Sequence, residues 1–349
     1  MRILIAGKFY PDSFARCIAT SAELMGHTVR AFETERVSWR RNRIWKASWA
    51  LLETAFPKIE RERQSHVCKA VKEFGPDLIL FPNEGFCPEI ISELRRVTSA
   101  KLAIWYPDHL VNLGRQYMLA AEYDAWFFKD PYMADIFRTK LGLIAHYLPE
   151  ACHSEWHRRH EPSEDVMRRY GCDLVTAGNM YYYRAKMLEV FRGYDLKVWG
   201  NSYPRWLQSP MRASYPGIYV AEEEKARAFN AAKIVINTMH YGEIEGVNCR
   251  LFEAAGCGAF QIADWKPALA DLFEPEREIV TFRTLHELKE KTDYYLARPE
   301  ERREIADRAY IRAHRDHTYE KRLQKMFEIL GLVPESGARE AVAAVRSVH

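Results

Sequence analysis

The strongest constraint on this chain is an alternation of periods. Apolar runs of four or five residues recur along it, and most are followed by a stretch with helical spacing. Strands are predicted over 3–6, 28–32, 77–81, 101–105 and 124–128, with helices over 14–25, 88–96 and 131–141. Runs this short and this apolar suit strands buried on both faces, and strands alternating with helices predict a parallel sheet covered on each side. The period then breaks over 148–162, a stretch of prolines, histidines and charges that reads as a linker. It restarts with strands over 173–177, 195–199, 217–220, 233–237 and 259–263, and helices over 183–191, 222–230, 248–255, 285–297 and 299–314.

The reading is α/β: two Rossmann-like domains, 1–150 and 163–314, facing each other across a cleft. A last helix, 318–331, is long enough to pack back on the first domain, and 335–349 is expected to be a flexible tail. A chain of 349 residues exceeds one ordinary core and suits two. In open parallel sheets ligands bind beyond the carboxyl ends of the strands, so the functional residues are sought there.

Composition limits the partners. A net charge of +3 is too small to indicate a nucleic-acid surface. Seven cysteines with no Cys-x-x-Cys pair, and no apparent leader, suggest a reducing, cytoplasmic setting. No apolar run approaches the roughly 18 to 20 residues of a spanning helix.

One stretch carries most of the chemistry: Glu243-Ile-Glu-Gly-Val-Asn-Cys-Arg-Leu-Phe-Glu-Ala-Ala-Gly-Cys-Gly-Ala-Phe260. Asn248 is a good N-cap, and a helix N-terminus there offers unsatisfied backbone N–H groups to an anion such as a diphosphate. Glu253 shares a helix face with Cys249, Phe252 and Gly256, so its carboxylate is partly desolvated and calls for hydrogen-bond donors; paired ribose hydroxyls would supply them. Arg250 is a phosphate candidate, and Glu245 sits in the loop ahead of the helix.

The spacing of Glu245 and Glu253 resembles the Glu-x7-Glu signature of retaining glycosyltransferases with the GT-B fold. The surrounding Val-Asn-Cys-Arg-Leu-Phe-Glu-Ala-Ala-Gly-Cys-Gly-Ala-Phe looks more narrowly like the spore-maturation CgeB-like branch, as do Glu274-x-x-x-Glu278-Ile-Val and His317-Thr-Tyr-Glu-Lys-Arg322. The resemblance covers about 173–330, and the first 150 residues only in outline. It implies that Glu253 holds a donor ribose, that Glu245 faces the donor sugar, and that Gly246, Val247 and Asn248 lie by the diphosphate. It further implies a donor-side turn at Gly178-Asn179, phosphate contact from Arg184, base contact from Tyr219-Val220, and a sugar or phosphate contact from His240. The family's commoner Gly-Phe-Gly after the first glutamate is Gly-Val-Asn here.

The chain has no Asp-x-Asp triplet, which fits a metal-independent design in which helix dipole and arginine stabilise the leaving diphosphate. No cofactor is expected. Asp108 and His109 follow a strand and are candidates to orient or deprotonate an acceptor hydroxyl, whether on a glycan, a lipid-linked or a protein acceptor. Lys8 and Tyr10 are candidates for the acceptor side. Cys152, His153, His157 and His160 match no metal-site spacing and are expected to be solvated linker residues. Arg36, Arg40, Arg41, Arg43 and Lys46 interleave with Trp39, Trp45 and Trp49, so 36–49 is a candidate for peripheral contact with the inner face of a membrane or with an anionic acceptor. The expectation is a sugar transferase using a nucleotide-sugar, UDP-linked by the resemblance. The rivals are a nucleotide-sugar epimerase on the same fold and a non-catalytic nucleotide-sugar-binding assembly protein.

Overall fold

A computed structural model of the chain describes residues 1–34, 56–83, 86–114 and 116–332. The basic, tryptophan-rich stretch 36–49 and the tail 335–349 lie outside them. The first domain strings β1 (Arg2–Gly7), α1 (Phe14–Leu24), β2 (Thr28–Glu33), α2 (Pro57–Phe74), β3 (Leu78–Phe81), α3 (Pro88–Val97), β4 (Lys101–Tyr106), β5 (Ala125–Phe128), α4 (Pro131–Leu141) and β6 (Ala145–Tyr147). Its sheet is wholly parallel, in the order β2-β1-β3-β4-β5-β6.

The second domain runs through α5 (Glu164–Tyr170), β7 (Cys172–Ala177), α6 (Tyr182–Leu188), β8 (Leu196–Trp199), α7 (Glu222–Asn230), β9 (Ala232–Asn237), α8 (Cys249–Gly256), β10 (Gln261–Asp264), α9 (Leu269–Leu272), β11 (Val280–Phe282), α10 (Leu285–Leu296) and α11 (Pro299–Asp316). Its sheet, also parallel, has the order β11-β10-β9-β7-β8.

Both sheets are buried on both faces because successive strand residues point to opposite sides. In β1, Leu4 and Ala6 enter one core while Ile3 and Ile5 enter the other. In the second sheet Leu174 and Ile234 face one core, and Val175 and Val235 the opposite one.

The closing helix α12 (Tyr319–Leu330) belongs to the first core. Tyr319, Leu323, Met326, Phe327 and Leu330 pack with Ile3, Ile5 and Ile18. The chain leaves the first domain and returns to it side by side: Cys152 and Thr318 form a bridge, Cys152 N–H donates to the His317 carbonyl, and Tyr319 N–H donates to that of Cys152. This crossover corrects the reading of 148–162 as solvated. Cys152, His153 and His157 are all buried, each with at most 1% of its surface exposed, and the His153 ring stacks on Trp156 at 3.7 Å.

Further departures are local, and the helices α2, α5 and α9 are not among those predicted from the sequence. Residues 217–220 form no strand, and β6 and β11, three residues each, were not read from the sequence. No described helix is long and apolar enough to cross a membrane.

Candidate active site

The cleft between the domains holds a cavity of about 330 Å³. It lies, as the fold dictates, beyond the carboxyl ends of the second sheet. β7 ends at Ala177 and turns at Gly178 with φ 125°, a conformation open to glycine. The glycine is also needed sterically: a Cβ there would lie 2.6 Å from an Arg250 Nη and 2.8 Å from an Arg184 Nη. Two guanidinium groups thus converge on one bare stretch of backbone.

Both arginines are buried. Arg184 donates from Nε to Thr238 Oγ1 (3.2 Å) and from Nη1 to the Asn179 carbonyl (2.6 Å), and lies 5.0 Å from the Tyr181 ring. Arg250 donates from Nη1 to Asn237 Oδ1 at 3.1 Å. Among the described residues, neither has a carboxylate within salt-bridge distance. Burial, and then the neighbouring Arg250 charge, pull Arg184 down to about 10. The N-terminus of α8 faces the same space. Asn248 caps it by accepting from Leu251 N–H at 3.3 Å, and its amide is anchored on Asn237 Oδ1 at 3.0 Å. Asn248, Cys249 and Arg250 all line the cavity.

The opposite end of the cavity has the reverse electrostatics. Lys225, from α7, is buried between two carboxylates: Nζ lies 2.8 Å from Glu253 Oε1 and in direct contact with Asp12 Oδ2. Asp12 comes from the first domain, in a left-handed backbone conformation (φ 67°). One ammonium satisfies one carboxylate fully. Burial works to raise Glu253, but Lys225, His157 and Arg250 outweigh it and hold Glu253 at about 2. Asp12 is pushed up to about 6 by burial, against Lys225 and with Glu253. Asp12, His157 and Glu253 bring potential metal-ligating atoms within 4.8 Å of one another. Lys225 Nζ already lies against both carboxylates. His157 Nδ1 accepts the His153 N–H at 2.9 Å, which leaves the proton on Nε2. The donor set is therefore an ammonium-centred cluster rather than one that fits a metal.

The middle of the cavity is built by the loop 238–246. His240 Nδ1 accepts the Gly242 N–H at 3.0 Å, so a neutral ring carries its proton on Nε2. Burial and the neighbouring His109 keep the ring neutral, lowering it to about 4. His109, from the first domain, stacks on His240 at 4.0 Å with Asp108 Oδ1 3.4 Å from its Nε2. The loop is clamped to the first domain by Asp130, whose Oδ2 accepts from Ile244 N–H (3.0 Å) and Glu245 N–H (3.2 Å). It is clamped again by Lys129, 2.7 Å from Glu243 Oε1. Glu243 is 3% exposed and lines the cavity, yet its Oε2 has no hydrogen-bond partner. Lys129 also faces Glu150 at 4.0 Å; burial lifts Glu150 to about 8, with Lys129 opposing.

Of the residues singled out in the sequence, Gly178, Asn179, Arg184, Tyr219, Val220, His240, Asn248, Arg250 and Glu253 line the cavity. Glu245, Gly246 and Val247 do not. Glu245 is half-buried beside Asp130, Gly246 packs against Lys129 and Asp130, and Val247 is core. Asp108 and His109 stand just outside, against His240. Lys8 and Tyr10 are off the lining, and their loop sends Asp12 in instead. Asp12, Lys225 and Glu243 were missed. Lys225 sits in Glu222-Glu-Glu-Lys-Ala-Arg, which reads as a solvated helix face, and nothing local marks Asp12.

Residues 184–328 match the family model described as "Glycosyl transferase-like". The spore protein CgeB of Bacillus subtilis is 26% identical over 158 residues, which is 40% of this chain and 48% of that protein; the chain spans about half the length of this curated relative. Two solved structures share the whole architecture. Sucrose-phosphate synthase from Thermosynechococcus elongatus superposes with a TM-score of 0.67 over 99% of this chain and 100% of its own, at 13% identity. Anabaena HepE in complex with UDP-glucose gives a TM-score of 0.65 over 95% of this chain and 100% of its own, at 11% identity. Fold and sequence together define the class: a GT-B chain of two parallel-sheet domains, with a glycosyl transferase-like second domain. Within that class its matched residues are similar to those of CgeB.

Proposed function

We propose that this protein transfers a sugar from a nucleotide-sugar, UDP-linked, to a hydroxyl acceptor, with retention at the anomeric carbon and without a metal. The observation that carries the reading is the buried Arg184–Arg250 pair, two guanidinium groups over Gly178 with no carboxylate within salt-bridge distance among the described residues. Two desolvated like charges are costly alone and favourable around an anion. A diphosphate between them and the α8 N-terminus supplies that anion and gains charge as it leaves, so the site stabilises the transition state more than the ground state.

The other roles follow from position. His240 Nε2–H donates to the departing phosphate or to the sugar. Glu253 Oε2 accepts from a ribose hydroxyl, Oε1 being engaged by Lys225. Tyr219 and Val220 flank the base. The unpartnered Glu243 Oε2 accepts from a hydroxyl of the donor sugar, in the role the Glu-x7-Glu resemblance gives to Glu245. Asp108 and His109, on the first-domain wall, serve the acceptor hydroxyl. The seven free cysteines favour a reducing cytoplasmic setting. HepE, crystallised with UDP-glucose, makes UDP-glucose the first donor to try.

The test is a thermal-shift screen of nucleotide-sugars, followed by release of nucleotide from the best one with a mixed hydroxyl acceptor. A donor at 100 times its Kd adds about 2.7 kcal/mol. We expect a shift in the wild type, none in Arg184→Met, and turnover unchanged within about twofold by EDTA. Absence of any shift at millimolar nucleotide-sugar contradicts the proposal. Product carrying the inverted anomeric configuration by NMR contradicts retention alone.

A further inference from the structure

A chain of rings leads from the protein surface to the cavity. Tyr183 and Tyr241 lie 5.8 Å apart, Tyr241 and His240 4.0 Å apart, and His240 stacks on His109 across the domain boundary at 4.0 Å. Tyr181 joins the same ring at 4.8 Å. The inner rings, Tyr181 and His240, line the cavity; the outer ones do not, and Tyr241 is 61% exposed. A tyrosine left this far in water, with its ring against another ring, contributes little to the core. Its position at the mouth of the cavity is what needs explaining.

The edges of this ring path are polar. Asp108 lies beside His109 and is half-exposed, its Oδ2 taking the Asn112 amide at 2.8 Å. Asp264, at the end of β10, acts together with burial to raise the Tyr183 phenol. Flat aromatic faces edged by carboxylates are complementary to one ligand class. The C–H face of a pyranose stacks on a ring while its hydroxyls donate to acids at the margin. An anionic head group would be repelled by those carboxylates.

We infer that Tyr183 and Tyr241, backed by the stacked His240–His109 pair, form the acceptor platform, and that the acceptor group stacked on it is a sugar residue. The inference rests on the transferase reading and sharpens it, turning "a hydroxyl acceptor" into a saccharide. It also gives a role to Asp108, which stands beside His109 at the inner end of the ring path, as an acceptor for a hydroxyl of a sugar held on Tyr241.

The experiment is saturation-transfer NMR on the full chain in the presence of UDP, with methyl glycosides of glucose, galactose and N-acetylglucosamine and their β-linked disaccharides as probes. UDP thermal shift is measured on the same samples. At least one saccharide receives saturation from the wild type. Tyr183→Ala/Tyr241→Ala lowers its affinity at least about tenfold and keeps the UDP shift, while Tyr241→Phe, which retains the ring, binds as the wild type does. If no saccharide binds at millimolar concentration, or the double alanine variant binds it unchanged, the platform is not for sugar. Tyrosine-dependent sedimentation with phosphatidylglycerol vesicles, without saccharide contact, likewise overturns the inference in favour of a membrane. Loss of the UDP shift in the wild type sinks the transferase reading itself, so the two failures are separable.

Discussion

The two ends of the cavity are built on opposite principles. At one end Arg184 and Arg250 are buried together with no carboxylate in salt-bridge range among the described residues; at the other Lys225 is buried between Asp12 and Glu253. The first arrangement is incomplete as it stands and is completed by an anion. The second has its ammonium fully paired, and it is also a tie between domains, since Asp12 belongs to the first and Lys225 and Glu253 to the second. The lesson is that buried charge by itself does not locate a ligand. A cation without an anion does, and the Lys225 cluster, whose ammonium is already paired, holds the walls in place around that site while leaving Glu253 Oε2 to a ligand hydroxyl.

The largest expected effect separates these roles. Lys225→Met leaves two carboxylates buried around a lost cation, and breaking such a cluster costs about 3–5 kcal/mol. Urea denaturation should show that loss, whereas Arg250→Met, which relieves the contact with Arg184 while giving up its attraction to Glu253 and its bond to Asn237, should cost the nucleotide-free protein much less. Equal destabilisation by both would erase the distinction. Next in size is nucleotide affinity: Arg250→Met should weaken UDP about 100-fold, a loss of about 2.7 kcal/mol in charge-assisted contact. A change under threefold would remove the arginine from the phosphate site.

Smaller is the effect of the sugar-facing carboxylate. Glu243→Gln should lower kcat/KM for UDP-glucose about tenfold while UDP binding is retained, and Glu245→Gln should do neither. The reverse pattern would restore the role to Glu245. The smallest effect is on pH. Burial depresses His153 to about 4 and His157 to about 3, so the unfolded chain binds more protons than the native one below about 6.5. Their contribution to stability is full above that pH and is lost as pH falls toward 4. Asp12, raised to about 6, acts with the opposite sign: the native state holds its proton more tightly, and stability is gained as pH falls from 6 toward 4. Asp12→Asn should therefore steepen the decline of the urea midpoint between pH 6 and 5. A shallower decline would contradict the assignment.

Much of the second domain is legible in the sequence because its strands are apolar runs bounded by turns and its key helix announces itself. Asn248 caps α8, and Arg250 and Glu253 fall at a spacing that puts both toward the cleft. The motif did not show which glutamate ahead of the helix faces inward. The loop's course is set by Asp130 and Lys129, which are more than a hundred residues away, and these turn Glu243 inward and Glu245 aside. Asp12 and Lys225 are invisible for the same reason, since their partners are distant in sequence: Asp12 meets Lys225 across the domain boundary, and Lys225 meets Glu253. The buried histidines of the crossover were misread because a polar, proline-bounded stretch has no period. It takes the return of the chain at His317–Tyr319 to bury it. By contrast α2 did carry a signal, with Val67, Ala70, Val71 and Phe74 at helical spacing within a strongly charged segment.

The central claim is that the buried Arg184–Arg250 pair makes the donor diphosphate site. Isothermal titration of UDP into the wild type and into Arg184→Met/Arg250→Met tests it most directly. The account predicts one UDP per wild-type chain and a loss of at least about 100-fold in the double variant, with a smaller fall in the urea midpoint than Lys225→Met gives. Equal UDP affinity in the two proteins, or no heat from the wild type at millimolar UDP, would contradict it.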